Sequence, residues 1–204
     1  MEWSRCNDLV QDVSFPSNML YAAFKSVLGL LYGDEALLEE ALTLSHKALC
    51  GRVCFSLLPL SHKDGELDLG FALTDSADLA RALRHCDRIL LFAATVGVEM
   101  DRLILRESRK SMTMGLLLGA IGTAAVEALC DRFCKDVGEA LAQKGEFLSP
   151  RFSPGYGDLP LSLQKEIFSY LGCSRSIGLT LNESLLMTPA KSVTAIAGIK
   201  RAAN

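Results

Sequence analysis

Between Ser111 and Val126 the chain carries no charged side chain, and the helical pattern around this run extends from about Met112 to Gln143, closed by Gly145. A helix apolar over so much of its surface must be covered by other elements. The uncharged run falls short of the ~20 residues that a membrane span needs, and Glu127 ends it, so a buried core helix is expected and no membrane partner. Gly115, Gly119 and Gly122 fall on or near one side of it. Each glycine costs about 1 kcal/mol against alanine inside a helix, and close approach of another element is the expected compensation. A phosphate-binding loop is the weaker alternative, since no strand leads into Gly115 and no lysine follows Gly119.

What can cover such a helix is written on both sides of it. Ile89-Leu90-Leu91-Phe92-Ala93-Ala94 reads as a central strand buried on both faces, leading through Thr95-Val96-Gly97 into a helix over about Val98 to Ser108. Upstream, Val53, Phe55 and Leu57 alternate in one segment and Leu67, Leu69, Phe71 and Leu73 in the next, with Asp64-Gly65 between them. That pattern predicts a hairpin joining the two segments, with one sheet face left to polar groups. A short helix is expected from Thr74 or Asp75 through Leu83, another over Leu161 to Leu171, and strands over Ile177 to Asn182 and Ser192 to Ile199. At the N-terminus a polar lead-in precedes a helix capped by Ser17 and stopped by Gly33, then a second one capped by Asp34 and ending before Gly51. The expectation is an α+β fold: a mixed, largely antiparallel twisted sheet with a long helix packed on it and an N-terminal helical hairpin. The whole of residues 1–204 reads as a single domain, with the hairpin over 1–51.

The bulk composition removes several functions. Half of the 204 residues are hydrophobic, and a formal net charge of -3 gives no electrostatic reason to bind nucleic acid. The pairs Cys50/Cys54 and Cys130/Cys134 each enclose three residues, and the odd total of seven cysteines suits reduced thiols better than a metal site, which points to the cytoplasm. His46, His62 and His85 read as surface or satisfied histidines, and Ser45-His46 lacks the glycines of a nucleophile elbow.

The densest punctuation lies at Arg151-Phe152-Ser153-Pro154-Gly155-Tyr156-Gly157-Asp158-Leu159-Pro160, where two prolines and two glycines forbid helix and central strand and call for an ordered loop. Arg151-x-x-Pro154-Gly155-Tyr156 followed by Pro160, then Leu181-x-Glu183-Ser184-x-x-Met187-x-Pro189-x-x-Ser192-Val193-Thr194, resembles the activation domain of cobalamin-dependent methionine synthase, in particular its small free-standing relatives. Weaker likeness reaches back through Glu127-Ala128-Leu129-x-Asp131-Arg132 to Thr95-x-Gly97 and Asp101. On this resemblance residues 52–204 would be an activation-domain-like α+β core, and the Arg151 loop would be its S-adenosylmethionine site.

The resemblance implies reductive methylation of a corrinoid oxidised to cobalt(II), using an electron from a partner protein and a methyl group from S-adenosylmethionine. No Asp-x-His-x-x-Gly motif is present, so cobalamin would come on a partner, a methionine synthase or related corrinoid methyltransferase. No catalytic side chain is implied, because positioning is what the protein must supply. The implied ligand-binding residues are Arg151, Ser153, Pro154, Gly155, Tyr156 and Glu183. Arg151 suits a ligand carboxylate or, alternatively, a loop-stabilising role. Pro154, Gly155 and Tyr156 would present backbone amides and carbonyls, and the Tyr156 ring either meets the ligand or packs over the loop. Glu183 and Ser184 fit ligand contact and backbone satisfaction equally. Met187 and Pro189 read as shaping a strand entry, Lys191 as an exposed charge, and Asp101 and Asp131 as solvated or helix-paired carboxylates or, in the alternative, as carboxylates facing the ligand amine. A reading of a different class is a non-catalytic S-adenosylmethionine-binding docking or sensor subunit.

Overall fold

The computed structural model describes residues 9–13, 35–63 and 65–201. Its main sheet has five strands in the order β1-β2-β6-β10-β7, namely β1 (Leu9–Val13), β2 (Gly51–Pro59), β6 (Arg88–Thr95), β10 (Ser192–Arg201) and β7 (Glu146–Leu148). Every pairing in it is antiparallel. Two small sheets stand beside it, one of β3 (Ser61–Lys63), β4 (Glu66–Asp68) and β5 (Leu73–Thr74), the other of β8 (Thr180–Leu181) and β9 (Met187–Thr188). The helices are α1 (Glu35–Ala48), α2 (Ala77–Ala82), α3 (Val98–Ser108), α4 (Met112–Ala142), α5 (Gln164–Leu171) and α6 (Cys173–Ile177).

β6 is the centre, as its apolar run predicts: from Ile89 to Thr95 every residue is buried. Side chains alternate across a strand, so its two faces need separate cover. On one face Leu90, Phe92 and Ala94 meet α4 through Leu118, Ile121, Ala125, Leu129 and Phe133, with α1 and α3 closing the layer. The Phe133 ring stands 5.2 Å from Phe92 and 5.1 Å from Phe55. On the other face Ile89, Leu91 and Ala93 pack with Cys54, Leu58 and Ile196 beneath Leu79 of α2, Ile167 of α5 and Ile177 of α6. Each Leu, Ile or Phe so buried contributes about 1.5–3 kcal/mol. By length and composition α4 is apolar enough to cross a membrane, but in this fold its apolar stripe is the roof of the core.

Several expectations are corrected. The polar face expected is found on the small sheet, where β3 is exposed throughout and Glu66 and Asp68 flank buried Leu67. It is not found on β2, which is buried on both sides along most of its length because α5, α6 and the β3–β5 segment cover what the long helix does not. The turn at Gly65, φ +90°, joins β3 to β4 rather than β2 to the 67–73 segment, and its partner Asp64 lies outside the described residues. Pro59 ends β2, which pairs with β1 and β6 instead. The strand expected over Ile177 to Asn182 is mostly absent: left-handed Gly172 and Gly178 bracket the short helix α6, and only Thr180 and Leu181 pair. Leu9–Val13, read as polar lead-in, forms an edge strand, and the helix expected from Ser17 to Gly33 lies outside the described residues.

The α4 glycines divide. A Cβ on Gly115 would overlap the Ser108 side chain and come within 2.9 Å of its Cα, and one on Gly122 would stand 3.0 Å from Lys191 Cγ, whereas Gly119 faces open space. Gly115→Ala should therefore destabilise the fold by about 1–3 kcal/mol, because backbone must move. Gly119→Ala should stabilise it by up to about 1 kcal/mol. Urea denaturation of the two variants checks this; equal effects of the same sign would contradict it.

Candidate functional site

The Arg151 loop is hung on the outer edge of β10. Past β7, Ser149 N–H donates to the Gly198 carbonyl at 2.8 Å, and Phe152 and Ile196 exchange a pair of 2.8 Å backbone hydrogen bonds. The chain then closes on itself: Tyr156 N–H donates to Ser153 O at 3.1 Å, Leu159 N–H to Tyr156 O at 3.1 Å, and Gly155 N–H to Leu159 O at 2.9 Å. Gly155 at φ +88° and Gly157 at φ +57° supply backbone that other residues rarely adopt. Pro154 and Leu159 are buried beneath, and Tyr156 stands outward at 71% exposure with its ring edge-on to Phe152, centroids 5.4 Å apart.

This geometry corrects one sequence expectation. The amides of Gly155 and Tyr156 are spent inside the loop and Pro154 has none, so of the backbone groups expected to be presented at these three positions the carbonyls of Pro154 and Gly155 remain. The Tyr156 ring does both things considered for it, touching Phe152 along one edge and leaving most of its surface free.

Arg151 points back across the sheet edge to α4. Its Nη2 donates to Asp131 Oδ1 at 2.6 Å and to Glu127 Oε2 at 3.2 Å. The arginine side chain is 24% exposed while both carboxylates lie largely in solvent, at 72% and 55%. Asp131 is thus neither free nor paired within its own helix. Beneath the guanidinium, burial pushes the Cys130 thiol up to about 12 and the Cys134 thiol up to about 11, against the opposing pull of Arg151, so both stay protonated at neutral pH. Among the described residues no three His, Cys, Asp or Glu side chains converge as a metal site.

Thr123, Glu127 and Asp131 recur at every fourth position and so form one row along α4. The row continues the contact toward the start of β10, where Lys191 Nζ donates to Thr123 Oγ1 at 2.9 Å. Asp101 of α3 accepts from the Ala190 N–H at 2.7 Å, and Ser192 Oγ reaches Pro189 O at 2.7 Å and Thr95 Oγ1 at 2.8 Å. Lys191 and Asp101 therefore fix the entry to β10. Glu183 stands apart: it is exposed at the tip of the β8–β9 turn, whose closure is made by Asn182 Oδ1 accepting from Leu186 N–H at 2.9 Å and by left-handed Leu185. The structure brings Arg151, Ser153, Pro154, Gly155 and Tyr156 together in one loop and leaves Glu183 on another.

Asp158 is the structural residue that sequence reasoning passed over. Its carboxylate accepts from the Ser76 hydroxyl and from the Ala77 and Asp78 amides at 2.7 and 3.2 Å, capping α2 and pinning the far end of the loop. The partners lie about eighty residues away in the chain, so no local spacing announces them. The Ser76 hydrogen bond first, then the two amides, hold the Asp158 carboxyl below its ordinary value of 3.8. A depressed folded-state value means stability present above pH 3.8 and lost as pH falls through the folded-state value. Asp158→Asn should be less stable than the parent near neutral pH, with the gap closing in acid. A gap independent of pH in thermal denaturation would contradict the assignment.

Three comparisons with known proteins bear on this geometry. The family model for the vitamin B12 dependent methionine synthase activation domain matches residues 68–204. No curated protein matches the chain. Among thirteen matching solved chains is the crystal structure of the MetH reactivation domain bound to AdoHcy, superposing with a TM-score of 0.66 over 97% of this chain and 80% of that one, at 18% identity. At that identity the likeness establishes the α+β fold, whereas the family model spans well over half the chain and takes in the Arg151 loop, α4, β8–β9 and β10. The chain belongs to the vitamin B12-dependent methionine synthase activation domain family.

Proposed function

We propose that the Arg151 loop and the facing row of α4 bind S-adenosylmethionine, and that the protein thereby supports reductive methylation of a corrinoid held by a separate cobalamin-dependent methionine synthase or related corrinoid methyltransferase, with an electron-donor protein as third partner. Family membership and the AdoHcy-bound neighbour support the choice of ligand.

The observation that carries the reading is the asymmetry around Arg151, a mostly buried guanidinium held by two mostly exposed carboxylates. An amino-acid ligand is a zwitterion. Its carboxylate replaces Asp131 or Glu127 on the guanidinium, its ammonium meets the displaced side chain, and two ion pairs become three without leaving any charge unpaired. The carbonyls of Pro154 and Gly155 suit donors on the rest of the ligand, and Ser153 and Tyr156 flank them. Glu183 is the outlying member of the proposed set.

When bound, S-adenosylmethionine supplies a methyl group already activated by its sulfonium, so what remains for this chain is orientation and exclusion of water. Arg151 anchors one end of the ligand, and exposed Tyr156 lies where an approaching partner would meet the loop. The histidines His46, His62 and His85 are exposed and lie outside any corrinoid-binding motif, in keeping with a corrinoid carried by the partner.

Isothermal titration with S-adenosylmethionine tests the site. Arg151→Ala should weaken binding by about 1 kcal/mol or more, roughly fivefold or beyond. Glu127→Gln combined with Asp131→Asn should weaken it as well, by removing the ammonium partners. Affinity unchanged in Arg151→Ala would take Arg151 out of the site.

A further inference from the structure

At the end of the sheet remote from Arg151, the last turns of α4 stand off from β2 and enclose a cavity of about 620 Å³. Its walls are apolar, formed by Phe55 and Leu57 of β2 and by Val137, Ala140 and Leu141 of α4. Its mouth is not. Arg88, Lys144, Glu146 and Arg201 line it. Arg88 stands opposite Ile199 and Glu146 opposite Arg201, so these side chains rise from the sheet face that α4 covers.

The charges at this mouth do not balance. Arg88 Nη2 meets Glu146 Oε1 at 2.6 Å, with the two side chains 33% and 10% exposed, while Arg201 lies between this carboxylate at 4.0 Å and that of Asp87 at 3.8 Å. Lys144 has no ion pair among the described residues. Three cations thus share two carboxylates, and the one positive charge in excess is offset only in part by the negative end of α4. A buried ion pair gains little over apolar packing unless its remaining donors are used, and Glu146 engages one nitrogen of the Arg88 guanidinium. Apolar walls, a volume within the usual range for small-molecule sites and a few convergent polar groups are what a built ligand site requires.

We propose that this cavity binds a small organic anion, one with a carboxylate, sulfonate or phosphate head on an apolar body. The head meets Arg88 and Lys144, and the body lies against Phe55, Leu57 and Leu141. The site is separate from the Arg151 loop: Asp131 and Leu141 are about 15 Å apart along α4.

Fluorescence titration with 8-anilinonaphthalene-1-sulfonate tests this directly. One saturable site is expected on the full chain. Lys144→Glu, an exposed position where folding is not at risk, should weaken it about fivefold. Ala140→Trp should fill the cavity and abolish the signal, with circular dichroism confirming the fold. N-phenyl-1-naphthylamine, which has the same rings without the sulfonate, should bind at least about tenfold more weakly. No saturable signal, binding unaffected by Lys144→Glu, binding that survives in a folded Ala140→Trp variant, or equal affinity for the neutral probe would each overturn the proposal.

Discussion

The burial of β6 on both faces is the constraint on which the rest depends. A strand whose residues from Ile89 to Thr95 are all buried cannot sit at an edge or in a two-layer fold with one wet side. It needs partners along both edges, supplied by β2 and β10, and cover above and below. The long helix α4 supplies one roof, with α1 and α3 beside it, and α2 together with the chain after Leu159 supplies the other. Closing the second roof requires the chain to pass from β7 around the β10 edge, and the Arg151 loop is the passage.

That position explains the loop's character. It is tied to a rigid strand through Phe152 and Ile196, to α2 through Asp158, and to α4 through Arg151, so three different layers hold its backbone. A loop anchored on all sides and closed by its own hydrogen bonds loses little entropy when a ligand arrives, which is what a site acting by placement needs. The protonated thiols of Cys130 and Cys134 beneath Arg151 add no competing nucleophile.

How much of this was legible in the sequence follows the range of the interactions. The run at Ile89 to Ala94, the helix over Val98 to Ser108 and the long helix from Met112 announce themselves because one periodic pattern fixes each of them. The partner of β2 did not, because alternation says that a segment is a strand without saying which strand it meets, and the Asp64-Gly65 turn serves a local hairpin instead. β7 and β8–β9 are too short to show a period. At the site, Arg151 to Tyr156 stood out through proline and glycine spacing. The Thr123, Glu127 and Asp131 row was readable as a helical face, but its pairing with Arg151 was not, since contacts across twenty or more residues leave no mark on local pattern. The spending of the Gly155 and Tyr156 amides inside the loop depends on where Leu159 returns, which only the folded chain fixes.

The central claim is that this chain places a methyl donor against a corrinoid owned by another protein. The most direct measurement mixes the purified protein with a corrinoid methyltransferase inactivated in its cobalt(II) state, a reductant and S-adenosylmethionine labelled in its methyl group, and follows the cobalt absorption spectrum together with the label. The account predicts transfer of label to the corrinoid that requires this protein and is impaired by Arg151→Ala. Binding of S-adenosylmethionine with no transfer of label to any candidate partner would contradict it and leave a ligand-binding module.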